Sequence, residues 1–159
     1  MLERSGHGRP GFAIMRRRDF IALSGGAAVV CPLTVRAQQP ARPVIGFLRS
    51  STAADSMRLV RAFRESLKSI GYDEGQNVEI EYRYAENRHD RLAALAADLV
   101  RRPVTVIVGN TISALAAKAA TAKVPIVFVT GSDPVADKLV ASLNRPGGNV
   151  TGVVFFSGV

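Results

Sequence analysis

The sequence predicts an α/β domain: a Rossmann-like, doubly wound parallel sheet with strand order 2-1-3-4-5. Two observations carry this. From residue 43 onward, apolar residues recur alternately at strand and at helix spacing, without a break in the sequence β-α-β-α. The strand runs are also almost wholly apolar, as expected of a parallel sheet covered on both faces. Right-handed crossovers between parallel strands then give the doubly wound layer.

The elements follow in order. Val44-Ile45-Gly46-Phe47-Leu48 is an apolar run of strand length. Over residues 55–70, Val60, Phe63, Leu67 and Ile70 fall on one helical face, Arg58, Arg61, Glu65 and Lys68 lie on the other, and Gly71 supplies a stop. Residues 77–84 alternate. Val78, Ile80 and Tyr82 lie on one side and Glu79, Glu81 and Arg83 on the other, a strand with one wetter face near a sheet edge. Residues 90–102 form a second helix with Leu92, Leu95 and Leu99 inward, closed by Pro103. Residues 104–108 are the third strand, and an alanine-rich helix follows to residue 122. Residues 125–129 are the fourth strand. Asp133-Pro134 then reads as an N-cap followed by proline at the first helical position, opening a helix that runs to residue 143. Asn144-Arg145-Pro146-Gly147-Gly148-Asn149 is a turn-rich loop, and residues 150–156 are the fifth strand.

Upstream of this domain the sequence changes character. Arg16-Arg17-Arg18-Asp19-Phe20 opens an apolar segment that closes at Val35-Arg36-Ala37. A basic start, an apolar middle and small residues at the end are the parts of an export signal. The arginine pair Arg17-Arg18 with Phe20 behind it points to the twin-arginine (Tat) route, an address read by a receptor. Cleavage after Ala37 would release a periplasmic protein. The apolar run is broken by Gly25-Gly26 and Pro32, so it is no stable membrane span, which takes about 20 apolar residues. Cys31 lies within that run, and Val29-Val30 before it and Pro32 after it suit lipid attachment poorly. Met15 sits directly ahead of the arginines. The organisation read from sequence is therefore an extension over 1–14, a signal over 15–37, a linker over 38–42 and a ligand-binding lobe over 43–159. Gly6-His7-Gly8-Arg9-Pro10-Gly11 matches G-x-G-x-x-G letter for letter, yet it lacks the strand before and the helix after that a dinucleotide site needs.

The formal charge of +8 suggests nucleic acid until it is divided. Residues 1–37 hold six Lys/Arg and two Asp/Glu; residues 38–159 hold fifteen and eleven, so each part carries +4. Charges in the second part alternate in sign along its helices, whereas a nucleic-acid partner calls for a clustered basic face. No nucleic-acid partner is expected. The single cysteine lies in the signal, so the domain rests on its core without disulfides.

In open α/β sheets, ligands bind beyond the carboxyl ends of the strands, near the point where strand order reverses. Three loops emerge there: Arg49-Ser50-Ser51-Thr52, Asn110-Thr111 and Thr130-Gly131-Ser132-Asp133. Each leads towards a helix start, whose free N–H groups and partial positive charge suit an anion. The same residue types are ordinary caps. Capping accounts for Asp133, while ligand contact and capping both stay open for Ser50, Asn110, Thr111 and Ser132. Arg49 reads as a solvated loop charge or as the partner of an anionic ligand.

Catalytic patterns are missing. His89 is the only histidine after the signal and, beside Asp90, reads as a surface residue. One histidine without cysteine builds no His/Cys metal site, and no metal or cofactor is expected. Gly147-Gly148 is followed by Asn149 where a phosphate loop needs Lys-Ser/Thr. Gly-x-Ser-x-Gly is absent, so a hydrolase elbow lacks support. Tyr72, Tyr82 and Tyr84 read as cover for sheet and loop surface.

Several stretches carry a family resemblance: the Arg-Arg-Arg-Asp-Phe-Ile leader ending in Arg36-Ala37-Gln38-Gln39-Pro40; Val44-Ile45-Gly46-Phe47-Leu48; Gly71-Tyr72 with Glu74-Gly75-Gln76-Asn77-Val78; Asp90-Arg91-Leu92; Pro125-Ile126-Val127-Phe128; and, most specific, Leu143-Asn144-Arg145-Pro146-Gly147-Gly148-Asn149-Val150-Thr151-Gly152-Val153. Together they resemble the exported ABC-transporter substrate-binding proteins, of the kind that includes tryptophan- and tyrosine-binding members. The resemblance implies a type I periplasmic-binding-protein fold, in which two such lobes close on a ligand, and a permease as partner. It places ligand loops at Ser50, Ser51, Asn110, Thr111, Thr130 and Ser132. It implies binding of a small organic ligand, an amino acid among the candidates, with no chemistry performed. This chain stops at Val159, about where the family crosses into its second lobe, so the expectation is the first lobe alone, a fragment or a truncated product. One lobe would bury about half of what a small-molecule site usually covers. The alternatives from other classes are a small exported hydrolase-like α/β enzyme and a sensory or regulatory ligand-binding domain.

Overall fold

A computed structural model describes residues 42–155. The signal residues Arg17, Arg18 and Phe20, the cleavage position Ala37, the extension over 1–14, most of the linker and the end of the fifth predicted strand lie outside the described residues. Within them the order is β1 (Val44–Arg49), α1 (Ala53–Ser69), β2 (Glu79–Tyr84), a 3-10 turn (His89–Arg91), α2 (Leu92–Arg101), β3 (Val106–Gly109), α3 (Thr111–Ala120), β4 (Ile126–Thr130) and β5 (Val150–Val154). The five strands form one sheet in the order β2-β1-β3-β4-β5, every neighbouring pair parallel.

Two apolar clusters sandwich the central strands. Ile45 and Phe47 of β1 join Val78 and Ile80 under Val60, Phe63 and Leu67 of α1. Leu48 of β1 faces the other way, into a cluster with Leu92, Ala96 and Leu99 of α2, Ala114 and Ala117 of α3, and Ile107, Ile126 and Phe128 of the sheet. The period-2 alternation of strand side chains therefore serves both layers. Phe47 is almost fully buried and meets Phe63 at 5.4 Å and Tyr82 at 5.6 Å between ring centroids. Burying such a ring contributes about 1.5–3 kcal/mol.

The wetter side of β2 is not bare. Arg83 Nε donates to Asp98 of α2 at 2.9 Å, and Arg102 donates to Glu81 at 3.0 Å, so ion pairs tie the edge strand to α2. Burial works against the charge of Arg83, but the bonds from Asp98 and Glu81 outweigh it and hold its pKa above the ordinary arginine value.

Two expectations are corrected. Ile70, placed on the apolar face of the first helix, is instead the C-cap of α1 and 70% exposed, because the helix ends one residue earlier. The helix expected over 134–143 does not form. Asp133 does cap a single turn, accepting from Val135 N at 2.8 Å. The chain then enters the left-handed region at Lys138 (φ 60°). That bend turns Leu139 and Val140 into the core, and Lys118 Nζ satisfies the carbonyls of Lys138 and Leu139 at 2.7 and 3.0 Å. Burying two adjacent apolar side chains outweighs continued helical bonding. The segment 131–149 thus packs on the α2/α3 side. On the α1 side, among the described residues, nothing covers Val129 (37% exposed) or Val153 (59% exposed) of β4 and β5.

The motif 144–152 has a structural task. Asn149 Nδ2 donates to Thr121 O and Val124 O at 3.1 and 2.6 Å, and its own carbonyl accepts from Ile126 N, which sets β5 in register against β4. Gly152 lies opposite Phe128, where a Cβ would sit 2.2 Å from the Phe128 carbonyl oxygen and 2.5 Å from its ring. Only glycine fits there. Gly152→Ala should therefore lower stability by about 1–3 kcal/mol, as overpacking does. Urea unfolding of the full chain measures it, and an unchanged midpoint would show that β5 can shift away.

Candidate functional site

Strand order reverses between β1 and β3. Their C-terminal ends carry the loops to α1 and α3, which leave on opposite faces of the sheet, the arrangement beside which open α/β sheets bind ligands. All six predicted residues lie along this end of the sheet, and the hydrogen bonds gather them into three linked groups.

Asn110 Nδ2 donates to Ser50 Oγ at 2.8 Å, joining the β1 and β3 loops, and the Asn110 carbonyl oxygen accepts from Ser113 Oγ. Ser50 and Ser113 are buried. Asn110 occupies the N-cap position of α3, yet its side chain makes no capping bond to the helix backbone. Thr111 Oγ1 and Thr130 Oγ1 share a hydrogen bond of 2.7 Å, and Thr130 Oγ1 also lies 2.7 Å from Ser132 Oγ and accepts from Ser132 N at 3.0 Å. Ser132 Oγ in turn donates to the Asp137 carboxylate. Ser51 Oγ meets the buried Ser56 Oγ at 2.9 Å, while Thr52 is the true cap of α1, accepting from Asp55 N at 3.1 Å.

Packing explains the closeness of β3 to α3. A Cβ on Gly109 would stand 2.9 Å from Ser113 Cβ and 3.1 Å from Leu48 O, so the missing side chain lets the first turn of α3 settle onto the sheet end.

Three features of the site escaped the sequence reading. Ser56 and Ser113 are buried partners whose signal was position: each follows its loop by one helical turn. Glu86 and Asn87, after β2, both take left-handed conformations (φ 55° and 60°), and Asn87 N donates to Ser50 O at 2.8 Å. Consecutive non-glycine residues in that region are uncommon. Asp137 becomes visible only once the expected helix is replaced by a turn. Arg49, for which two readings stood open, is half-buried, and burial lowers its pKa from the ordinary value.

A groove of about 580 Å³ runs along α1 between Met57 and Glu74. None of the six predicted residues lines it. Three of its four cations, Arg61, Arg64 and Lys68, pair with Glu65, Glu74 and Asp73, and Arg58 is exposed on the same helix face, so it is a solvated helix surface. Among the described residues, no group of three or more His, Cys, Asp or Glu stands close enough to hold a metal ion, and no helix is long and apolar enough to cross a membrane.

Residues 50–156, more than half of the chain, match the family model described as ABC transporter substrate binding protein. The chain belongs to this family. A family relative, the tyrosine-binding protein of Clostridioides difficile (strain R20291), is 37% identical over 93 residues, which make up 58% of this chain and 27% of the relative. Among solved structures, the ligand-free, open form of a substrate binding protein with adhesive properties from Clostridium difficile matches with TM-score 0.67 and 30% identity, over 74% of this chain and 40% of that one. An ABC domain in complex with L-Trp from Streptococcus pneumonia matches with TM-score 0.65 and 29% identity, over 71% and 38%. The chain thus spans less than half the length of the family members it matches.

The Ser50–Asn110–Ser113 chain makes a stability test possible. Asn110→Ala strips the acceptor from a fully buried Ser113 hydroxyl and should cost about 1–3 kcal/mol. Chemical unfolding gives the value, and a loss below about 0.5 kcal/mol would mean that water takes over the amide's bonds.

Proposed function

We propose that this chain supplies one lobe of an exported solute-binding protein serving an ABC importer, and that its strand-end loops form one wall of a cleft for a small organic ligand. The observation that carries the reading is the convergence, at the switch point, of Ser50, Asn110, Thr111, Thr130 and Ser132 in a chain of this family. Such a wall suits ligands with both polar and apolar parts: hydroxyls and amides for the former, the half-buried ring of Tyr84 at the end of β2 for the latter. The names of the matched proteins favour an amino acid, with tyrosine and tryptophan first. Ser51 flanks the cleft through the first turn of α1.

Binding without chemistry follows from what these residues can do. The hydroxyls bond to each other, to Asn110 and to Asp137; none has a histidine beside it, His89 being an exposed residue of the 3-10 turn. A second lobe closing over the wall, and a permease receiving the closed form, complete the proposed transport cycle. Export through the twin-arginine route rests on Arg17, Arg18 and Phe20, with cleavage after Ala37.

Two experiments address these points. Titrating the ¹⁵N-labelled full chain with a panel of amino acids should give saturable shifts confined to the amides near Ser50, Asn110, Thr111 and Thr130. Shifts absent across the panel, or centred on the α1 groove, would contradict the assignment. In cells, the double change Arg17→Lys with Arg18→Lys should leave the protein in the cytoplasm; continued export would refute the Tat route.

A further inference from the structure

We propose that Arg49 is the counter-charge for a carboxylate of the bound solute, with Tyr84 as the adjoining wall; this deepens the solute-binding reading and rests on it. Arg49 is the last residue of β1 and pairs in register with Tyr84, the last residue of β2. By strand alternation both lie on the face of Phe47 and Tyr82, one residue before the Ser50 loop. Tyr84 continues the aromatic run, its ring parallel to that of Tyr82 at 6.2 Å.

What distinguishes Arg49 is its lack of partners. Its Nε is buried without a hydrogen-bond acceptor, and it takes part in no ion pair among the described residues. The arginines of the β2–α2 surface are otherwise placed: Arg83, Arg101 and Arg102 all bond carboxylates. Neither acid near this strand end pairs with Arg49. Glu74 pairs with Arg64, and Glu86, in the loop after β2, is exposed and forms no ion pair. Burial also pushes the Tyr84 hydroxyl above its ordinary pKa, so it stays protonated and offers no negative charge. An unpaired guanidinium with one N–H already buried carries a standing cost that a carboxylate on its remaining nitrogens lowers.

The charge count selects the ligand class. The other groups bonded together at the strand ends are neutral hydroxyls and amides, plus Asp137. One cation with no second beside it balances a monoanion; a phosphate dianion would need more. The planar guanidinium fork fits a carboxylate.

The test compares three indole probes on the ¹⁵N-labelled full chain: L-tryptophan, indole-3-propionate, which keeps the carboxylate and lacks the amine, and tryptamine, which does the reverse. Both acids should shift the Arg49 Nε–Hε resonance and bind at least about tenfold more tightly than tryptamine. Arg49→Gln should abolish that preference while leaving tryptamine affinity unchanged; Arg49→Lys, which keeps the charge and loses the fork, should retain part of it. Tryptamine binding as tightly as the acids, or Arg49→Gln weakening all three probes alike, would overturn the carboxylate assignment and leave the solute-binding reading intact. Strand-end resonances unmoved by all three would bring down both. Should Arg49→Gln not fold, the acid-to-amine ratio in the parent chain and in Arg49→Lys decides the question.

Discussion

The central position of β1 governs this structure. It is hydrogen-bonded on both edges, to β2 and to β3, and its alternating side chains feed both apolar layers. The two neighbours of β1 are reached by different routes. The connection to β2 carries α1 on one face; the return to β3 carries α2 on the other. The loops at the ends of β1 and β3 must therefore diverge, and the gap between them is a consequence of topology before any particular side chain is considered. Residue choice then decides what fills it.

What fills it is a set of short polar side chains that largely satisfy one another. Ser50 with Asn110, Thr111 with Thr130, and Ser132 with Asp137 give the strand ends a settled arrangement of bonded polar groups. Against that background an unbonded Arg49 Nε stands apart. In the proposed binding wall, preorganised neutral groups would supply shape and one unmatched charge would supply selection.

Much of this was legible in the sequence. All five strands and three of the four expected helices were legible from apolar spacing and alternation, and the strand order from the right-handed crossovers of a doubly wound sheet. The strand-end position of the six residues was legible because topology says where to look and those loops are rich in small polar residues, the family resemblance adding Ser51 and Thr130 to the set. What could not be read was decided by long-range packing. Leu139 and Val140 look like part of a helical face, yet they reach the core from a turn whose carbonyls are held by Lys118, twenty residues earlier. For Arg49 the sequence leaves a solvated charge and a ligand partner both open, because its burial comes from the register of β1 with β2, which local spacing does not reveal.

The stretch around Asn149 and Gly152 bears on how such proteins are recognised at all. Its most distinctive residues hold β5 against β4 and lie along the sheet without joining the strand-end hydrogen bonds. A signature invested in scaffolding can persist while the cargo changes. Matching it reports ancestry, and the chemistry of what is carried has to be read from the handful of loop residues that such a match weighs least.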